Sequence, residues 1–226
     1  MTVDVELLDA LRAYDTPTLA NAIEGLVDRP ANTGFTRPPV HSVLPDLPPM
    51  VGVAVTLTIR SDSPFPDAEA KVNAMAPLYG AAQAIDGPKV VVVQDLDQGG
   101  GCLWGEVNAS LCLAMGCEGV VTDGLVRDLP DVEAMGFRML ARGVGVARSW
   151  VAIQEVGVPV VVGEAAIAPG DVIHADRHGA LVIPPEALAG LPAAADAIMA
   201  REDHLLTWVR SPEFDPNEIR ARRAQH

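Results

Sequence analysis

Residues 99–128 read GGGCLWGEVNASLCLAMGCEGVVTDGLVRD, and the order of their parts decides the fold. Gly99, Gly100 and Gly101 open a loop whose backbone can take angles that other residues resist, and Gly105 turns the chain into a helix beginning at Glu106. Ala109 to Met115 are mostly apolar helix formers, and Gly116 ends that element. Gly119-Val120-Val121-Thr122 is short, β-branched and bounded by glycine and by Asp123-Gly124, the pattern of a buried parallel strand. Arg127 and Asp128 then leave the carboxyl end of a strand, where open α/β sheets hold their ligands.

A loop that ends at a helix start is an anion site in outline. The first N–H groups of a helix have no intrahelical acceptor, and the aligned peptide dipoles draw negative charge to them. Gly105, Glu106, Val107 and Asn108 supply those donors. Arg127 adds a planar fork that stays charged and suits a carboxylate or a developing enolate, and Asp128 adds hard oxygens for a divalent cation. Plainer readings stand beside these. Asp128 precedes Leu129-Pro130-Asp131 and can N-cap the next helix, with Pro130 in its first turn and Asp131 as capping-box partner. Arg127 can be a surface charge, and Glu106 suits any first helical turn. Spacing alone leaves both sets open.

Outward from this stretch, the pattern repeats. Lys89 to Val93 is an apolar strand running into the glycine loop, and a helix after Asp128 stops at Gly136 before a strand from Arg138 to Ala141. Repeated strand, loop and helix predict an α/β fold with a mixed, partly parallel central sheet and right-handed crossovers. Upstream, Val5, Leu8 and Leu11 recur at helical spacing, and Thr16-Pro17 reads as an N-cap and first turn, so residues 1–28 form N-terminal helices. Prolines make 30–50 an extended connection, with His41 solvated in it. Val51 to Ile59 alternates as a strand, and Ala68 to Ala84 is a helix interrupted near Pro77. Val158–Val162, Val172–Ala175 and Ala180–Ile183 are short strands joined by turns, and residues 185–226 carry a long helix, broken around Gly190-Leu191-Pro192, and a polar tail. Nothing marks a boundary, so 1–226 is expected to be one domain.

Other polar residues leave choices open. Asp95 and Asp97, at the mouth of the glycine loop, read as turn formers or as metal supports. His174, Asp176 and His178 would share a strand face at a spacing that can hold zinc, although His178-Gly179 looks like the end of a turn. Arg142 and Arg148 flank a glycine-rich turn, at the rim of a pocket or in solvent.

A formal charge of −14 and a pI near 4.6 disfavour nucleic acid and anionic membranes as partners, and 49% hydrophobic residues suffice for a substantial core. An anionic substrate needs a local positive focus against this background, and the helix start with Arg127 and a cation supplies one. Cys102, Cys112 and Cys117 lack paired metal spacing and point to a reducing compartment; the last two read as packing residues, and Cys102 has no histidine beside it in sequence to make it a nucleophile. The N-terminus is acidic and amphipathic and no apolar run spans a membrane, so a cytoplasmic location is expected. Lys71 and Lys89 are the only lysines and neither lies beside Arg127, so carbon–carbon cleavage here calls for a metal rather than an imine.

The segments LWGEVNAS, GVVTDGLVRD, ARGV and APGDVIHADRHGALVIP resemble the RraA-like family over residues 15–190, and in particular its class II pyruvate aldolases, which cleave 4-hydroxy-4-methyl-2-oxoglutarate. The resemblance implies a layered αβ sandwich of the swivelling-domain type. It implies retro-aldol cleavage of a 4-hydroxy-2-oxo dicarboxylic acid to pyruvate, oxaloacetate decarboxylation through the same enolate, and Mg²⁺ or Mn²⁺ as cofactor. Backbone groups of Gly105, Glu106, Val107 and Asn108 bind substrate on this reading, with Arg127 contacting it as a catalytic residue. Asp128 ligates the metal, and Glu106, the second catalytic residue, holds the metal's waters together with an acidic residue of a neighbouring subunit, for which Glu202, with Asp203 nearby, is the candidate. Homotrimers or homohexamers are implied. Family members that inhibit ribonuclease E tend to lack the final Asp, which this chain keeps. The alternatives are a non-catalytic regulator of ribonuclease activity and another metal-dependent lyase or hydrolase on the same scaffold.

Overall fold

The computed structural model describes residues 4–62 and 75–223. Of the helix expected over 68–84, residues 68–74 lie outside the described residues, as does Lys71. What is described of it is α3, Ala76–Gln83.

Four consecutive valines set the centre. Strand β3 (Lys89–Asp95) lies between β2 (Met50–Arg60) and β5 (Cys117–Thr122), parallel to both. Its side chains alternate, so Val91 and Val93 enter one apolar cluster while Val90 and Val92 enter another on the opposite face. Strand β7 (Arg138–Ala141) extends the parallel run beyond β5, and β1 (His41–Ser42) closes that edge antiparallel. On the other side β2 pairs antiparallel with β12 (Val172–Asp176), which pairs with β13 (Gly179–Ile183), and its far half also pairs with β9 (Ala152–Val156). The result is the expected mixed α/β sheet, eight strands in all. One detail differs from the sequence expectation. Alternation in β2 does not mark a solvent face, because all its residues except Arg60 are buried between the two clusters.

One face is covered by α3, by α4 (Glu106–Ala114) and by α5 (Leu129–Ala134), whose Leu78, Ala109, Cys112 and Val132 join the first cluster. A hairpin of β10 (Val160–Val162) and β11 (Ala165–Ile167) covers the other. Burying a valine or leucine of this kind contributes about 1.5–3 kcal/mol. A third cluster packs α1 (Val5–Leu11), α2 (Thr16–Glu24) and α6 (Leu191–Val209) against β12 and β13. Asp15, not Thr16, caps α2 by accepting from the Thr18 N–H at 2.8 Å; Thr16 is the first helical residue and is buried. A bidentate Arg12–Glu118 pair ties α1 to β5, and Val51 N–H also donates to Glu118 at 3.3 Å.

The described part of the polar tail, to Arg223, is folded. A 3₁₀ turn (Pro216–Glu218) and α7 (Ile219–Arg223) fold back on α6, with Phe214 5.1 Å from the Trp208 ring and the Arg222 guanidinium 4.4 Å above it. No helix among the described residues is long and apolar enough to cross a membrane.

Candidate active site

The site is built on a second, smaller sheet that short strands conceal in the sequence. β4 (Cys102–Trp104), β6 (Leu125–Val126) and β8 (Gly143–Val144) run parallel, with β6 in the middle. The turn at Asp123-Gly124 hands the chain from the main sheet to this one. Arg127 and Asp128 therefore leave the end of β6 rather than that of the buried strand β5. The glycine loop reaches its helix only through β4, and α4 starts immediately after it. Arg127 is fixed by its own N–H, which donates to Trp104 O at 3.0 Å.

Asp128 sits where an N-cap of α5 would sit, in the left-handed region (φ 57°, ψ 40°) that Asp tolerates better than most residues. Its side chain makes no cap bond to α5. Instead Oδ2 accepts from the Glu106 N–H at 3.1 Å, at the first turn of α4, with Arg127 Nε 3.6 Å from the same oxygen. The capping-box reading is thereby corrected: the carboxylate serves the other helix. Gly105 makes room for it. A Cβ there would collide with Asp128 Oδ2 and come within 3.1 Å of Arg127 Cγ, and since φ is −155° the glycine answers to space, not to backbone angle.

A cleft of about 170 Å³ opens at this junction, room for roughly five or six water-sized groups. Gly105, Val107 and Asn108 form one wall, Arg127 and Asp128 the second, and Cys102, Leu103 and Arg148 the rest. The first intrahelical bond of α4 is Ala109 N–H to Gly105 O, so amides ahead of it have no helical acceptor and Asp128 takes only that of Glu106. Asn108 Nδ2 donates to Leu103 O at 2.6 Å and locks the helix start to β4. Glu106 is exposed and its side chain is not part of the cleft wall; its backbone is what meets Asp128. Burial raises the Cys102 thiol above its ordinary value, which leaves it protonated and a poor nucleophile.

Below the cleft, Asp95 and Asp97 shape the loop. Buried Asp95 accepts from Ser61 Oγ at 2.7 Å, Gly99 N–H at 2.8 Å and Asp97 N–H at 3.0 Å; Asp97 accepts from the N–H groups of Ser61 and Asp62. Spent on these bonds, they act as turn formers and not as metal supports. Asp123 accepts from Asp95 N–H at 2.6 Å, and burial, with the Asp95 charge adding to it, pushes its carboxyl up to about 6. Arg142 turns outward to Gln98, whereas Arg148 enters the cleft.

The zinc-like triplet is occupied elsewhere. Buried His174 holds Thr16 Oγ1 at 2.9 Å through Nδ1, and burial pushes its pKa down to about 4. Asp176 accepts from Thr16 N–H at 2.9 Å and from His178 N–H at 2.8 Å. Lys89 donates to Gly87 O and Met115 O, the latter at the far end of α4. Glu202 lies with Asn21, Arg201 and Arg223 in a separate groove of its own chain.

Among the described residues no group of three His, Cys, Asp or Glu side chains could hold a metal. The donor set still fits one kind of cation. Asp128 Oδ1 has no hydrogen-bond partner among the described residues, and Mg²⁺ commonly binds through one or two carboxylates while keeping several waters.

The chain is 26% identical over 185 residues, 80% of its length and 78% of the other's, to a protein of Halalkalibacterium halodurans named provisionally as a 4-hydroxy-4-methyl-2-oxoglutarate aldolase. Its fold is similar to that of an uncharacterized protein from Pseudomonas syringae (TM-score 0.75, 23% identity, 100% of this chain and 96% of that one). It is also similar in fold to RraAS2 of Streptomyces coelicolor, described as an unusual member of the RNase ES inhibitor RraA protein family (TM-score 0.69, 23% identity, 90% and 97% covered). A family model, RraA-like (Aldolase/RraA), matches residues 10–182, and the chain belongs to that family.

Proposed function

We propose that the protein is a divalent-metal-dependent carbon–carbon lyase that cleaves a 4-hydroxy-2-oxo dicarboxylic acid to pyruvate and decarboxylates oxaloacetate through the same enolate. One observation carries this reading: an exposed carboxylate and a charged guanidinium, Asp128 and Arg127, meet the first turn of α4 at the wall of one small cleft. The provisional name of the Halalkalibacterium relative supports the substrate. Asp128, with waters braced by Glu106 and by an acidic residue of a neighbouring subunit such as Glu202, would hold Mg²⁺ or Mn²⁺. Once bound, the cation polarises the keto oxygen and offsets the negative charge that grows there.

The chain's own residues do the remainder. Arg127 binds the 2-oxo acid and stabilises the developing enolate, and the free amides at Gly105, Val107 and Asn108 hold the substrate carboxylate. The 4-hydroxyl loses its proton to a water, and its oxygen becomes the carbonyl of the departing 2-oxo acid as the C3–C4 bond breaks. That bond's electron pair becomes the enolate of pyruvate, and a proton returned from water to C3 completes the pyruvate. Lys89, the one lysine among the described residues, donates to Gly87 O and Met115 O and does not border the cleft. Val107 (70% exposed), Val146 (94%) and Trp150 (50%) leave apolar surface on α4 and on the segment that carries Arg148, consistent with a homotrimer or homohexamer whose subunits meet near the cleft.

Release of pyruvate from 4-hydroxy-4-methyl-2-oxoglutarate and from oxaloacetate, assayed with Mg²⁺, with Mn²⁺ and with EDTA, is the test. Turnover that EDTA abolishes and either cation restores is the expected result. No pyruvate from either acid with metal present would overturn the proposal.

A further inference from the structure

We infer that Arg148 reads a second carboxylate of the substrate and so makes the cleft prefer 2-oxo acids with two anionic ends. The inference rests on the proposed binding of a 2-oxo acid, and it concerns a residue that the aldolase reading leaves without a role.

Partnering separates Arg148 from its peers. Among the described residues, each other half-buried arginine has an acceptor. Arg12 pairs with Glu118, Arg37 with Glu164 and Arg222 with Glu218, while Arg29 donates to Val182 O and Arg138 to Pro48 O. Arg127 has Asp128 beside it. Arg148 is half-buried in the cleft wall with no carboxylate in ion-pair range among the described residues, in a chain whose formal charge is −14. Partly desolvating a guanidinium without an acceptor is unfavourable, and an anion that enters with the ligand removes the penalty.

The backbone holds Arg148 there deliberately. Cys102 N–H donates to Ala147 O at 2.9 Å, and Gly101 lets the Arg148 carbonyl approach so closely that a Cβ would overlap it. The segment is thus pinned to the strand that leads into α4. Arg127 and the α4 amides serve the keto-acid end of a ligand, and Arg148 is left for the other end.

Two measurements test this. By calorimetry with Mg²⁺ present, 2-oxoglutarate should bind the wild-type protein more tightly than pyruvate. Arg148→Gln should weaken 2-oxoglutarate by about ten- to hundred-fold and pyruvate by less than about two-fold, with Arg148→Lys recovering part of the loss. In kinetics, Arg148→Gln should raise KM for 4-hydroxy-4-methyl-2-oxoglutarate with little change in kcat, and so narrow the preference for it over 4-hydroxy-2-oxopentanoate, which lacks the second carboxylate. Equal losses for both ligands, or none for either, would overturn the role of Arg148. Absence of turnover with the binding difference intact would overturn the lyase reading and leave Arg148 standing.

Discussion

Two aspartates in this protein do the same local job and differ in everything around it. Asp176, at the end of β12, accepts from Thr16 N–H at the start of α2; Asp128, just past β6, accepts from Glu106 N–H at the start of α4. Neither caps a helix that follows it in sequence. Asp176 is buried and saturated, with His178 N–H and Nδ1 on its other oxygen, and although burial raises its carboxyl these hydrogen bonds outweigh it and hold the pKa below its ordinary value. Asp128 has a side chain 38% exposed, one amide and a 3.6 Å arginine. A carboxylate whose lone pairs are spent is structure. One that keeps an oxygen open at a cleft is available to a ligand.

The largest expected effect breaks the pair at the open end. Asp128→Ala, and likewise Arg127→Ala, should lower kcat/KM for pyruvate release by about 10³-fold while urea unfolding shifts by less than about 1 kcal/mol. Full turnover in Asp128→Ala would refute its role in holding a metal. The closed end should answer inversely. Asp176→Ala leaves the buried Thr16 N–H and His178 without their acceptor, and should cost about 3 kcal/mol of stability with activity per folded molecule unchanged. A stable Asp176→Ala that has lost activity would mean the two sites had been assigned the wrong way round.

This contrast also marks how far the sequence could be read. The main sheet was legible because Lys89–Val93 and Gly119–Thr122 are apolar runs bounded by turn residues, and the cluster of Gly105, Asn108, Arg127 and Asp128 was legible from residue types and from family resemblance. Which helix Asp128 serves was not. Asp-Leu-Pro-Asp is a fair capping box, and only the three-stranded sheet of β4, β6 and β8, two or three residues per strand and too short for any periodicity, aims that carboxylate at α4. Arg148 stayed undecided beside Arg142 for a similar reason: the contact that places it is a carbonyl against Gly101, which leaves no trace in side-chain pattern. The triplet of His174, Asp176 and His178 shows the converse, since regular spacing suggested a metal where the partners are an N–H and a hydroxyl of Thr16.

Gly105 offers a way to sharpen the comparison without touching charge. Gly105→Ala puts a methyl group where Asp128 Oδ2 lies, so the carboxylate must leave the Glu106 amide. Activity should fall by about 10²-fold through misplacement of Asp128 and Arg127, with a stability loss of about 1–3 kcal/mol from overpacking. An alanine variant of wild-type rate would show that the exact seat of Asp128 is immaterial.

The smallest effect comes from a third aspartate that lies between the extremes. Asp123 is partly buried, hydrogen-bonded by Asp95 N–H, and raised to about 6 from an ordinary 3.8, so the folded state binds its proton more readily than the unfolded chain. Its ionisation therefore weighs against folding above about pH 6, and that penalty is relieved as the pH falls toward 4. His174 acts with the opposite sign. Its pKa drops from an ordinary 6.5 to about 4, the unfolded chain binds the proton first, and stability is lost as the pH falls from 6.5 to 4. The depressed Asp176 carboxyl adds to that loss at still lower pH. Between pH 6 and 4 the Asp123 and His174 effects oppose each other, which should leave the wild-type stability nearly flat there. Asp123→Asn keeps the acceptor for Asp95 N–H and removes one side of the balance. Urea unfolding should find this variant about 1 kcal/mol more stable than wild type at pH 8, after discounting for partial exposure, and losing stability more steeply below pH 6. A variant no more stable at pH 8 would mean that the Asp123 charge is solvated like that of Asp128 rather than confined like that of Asp176.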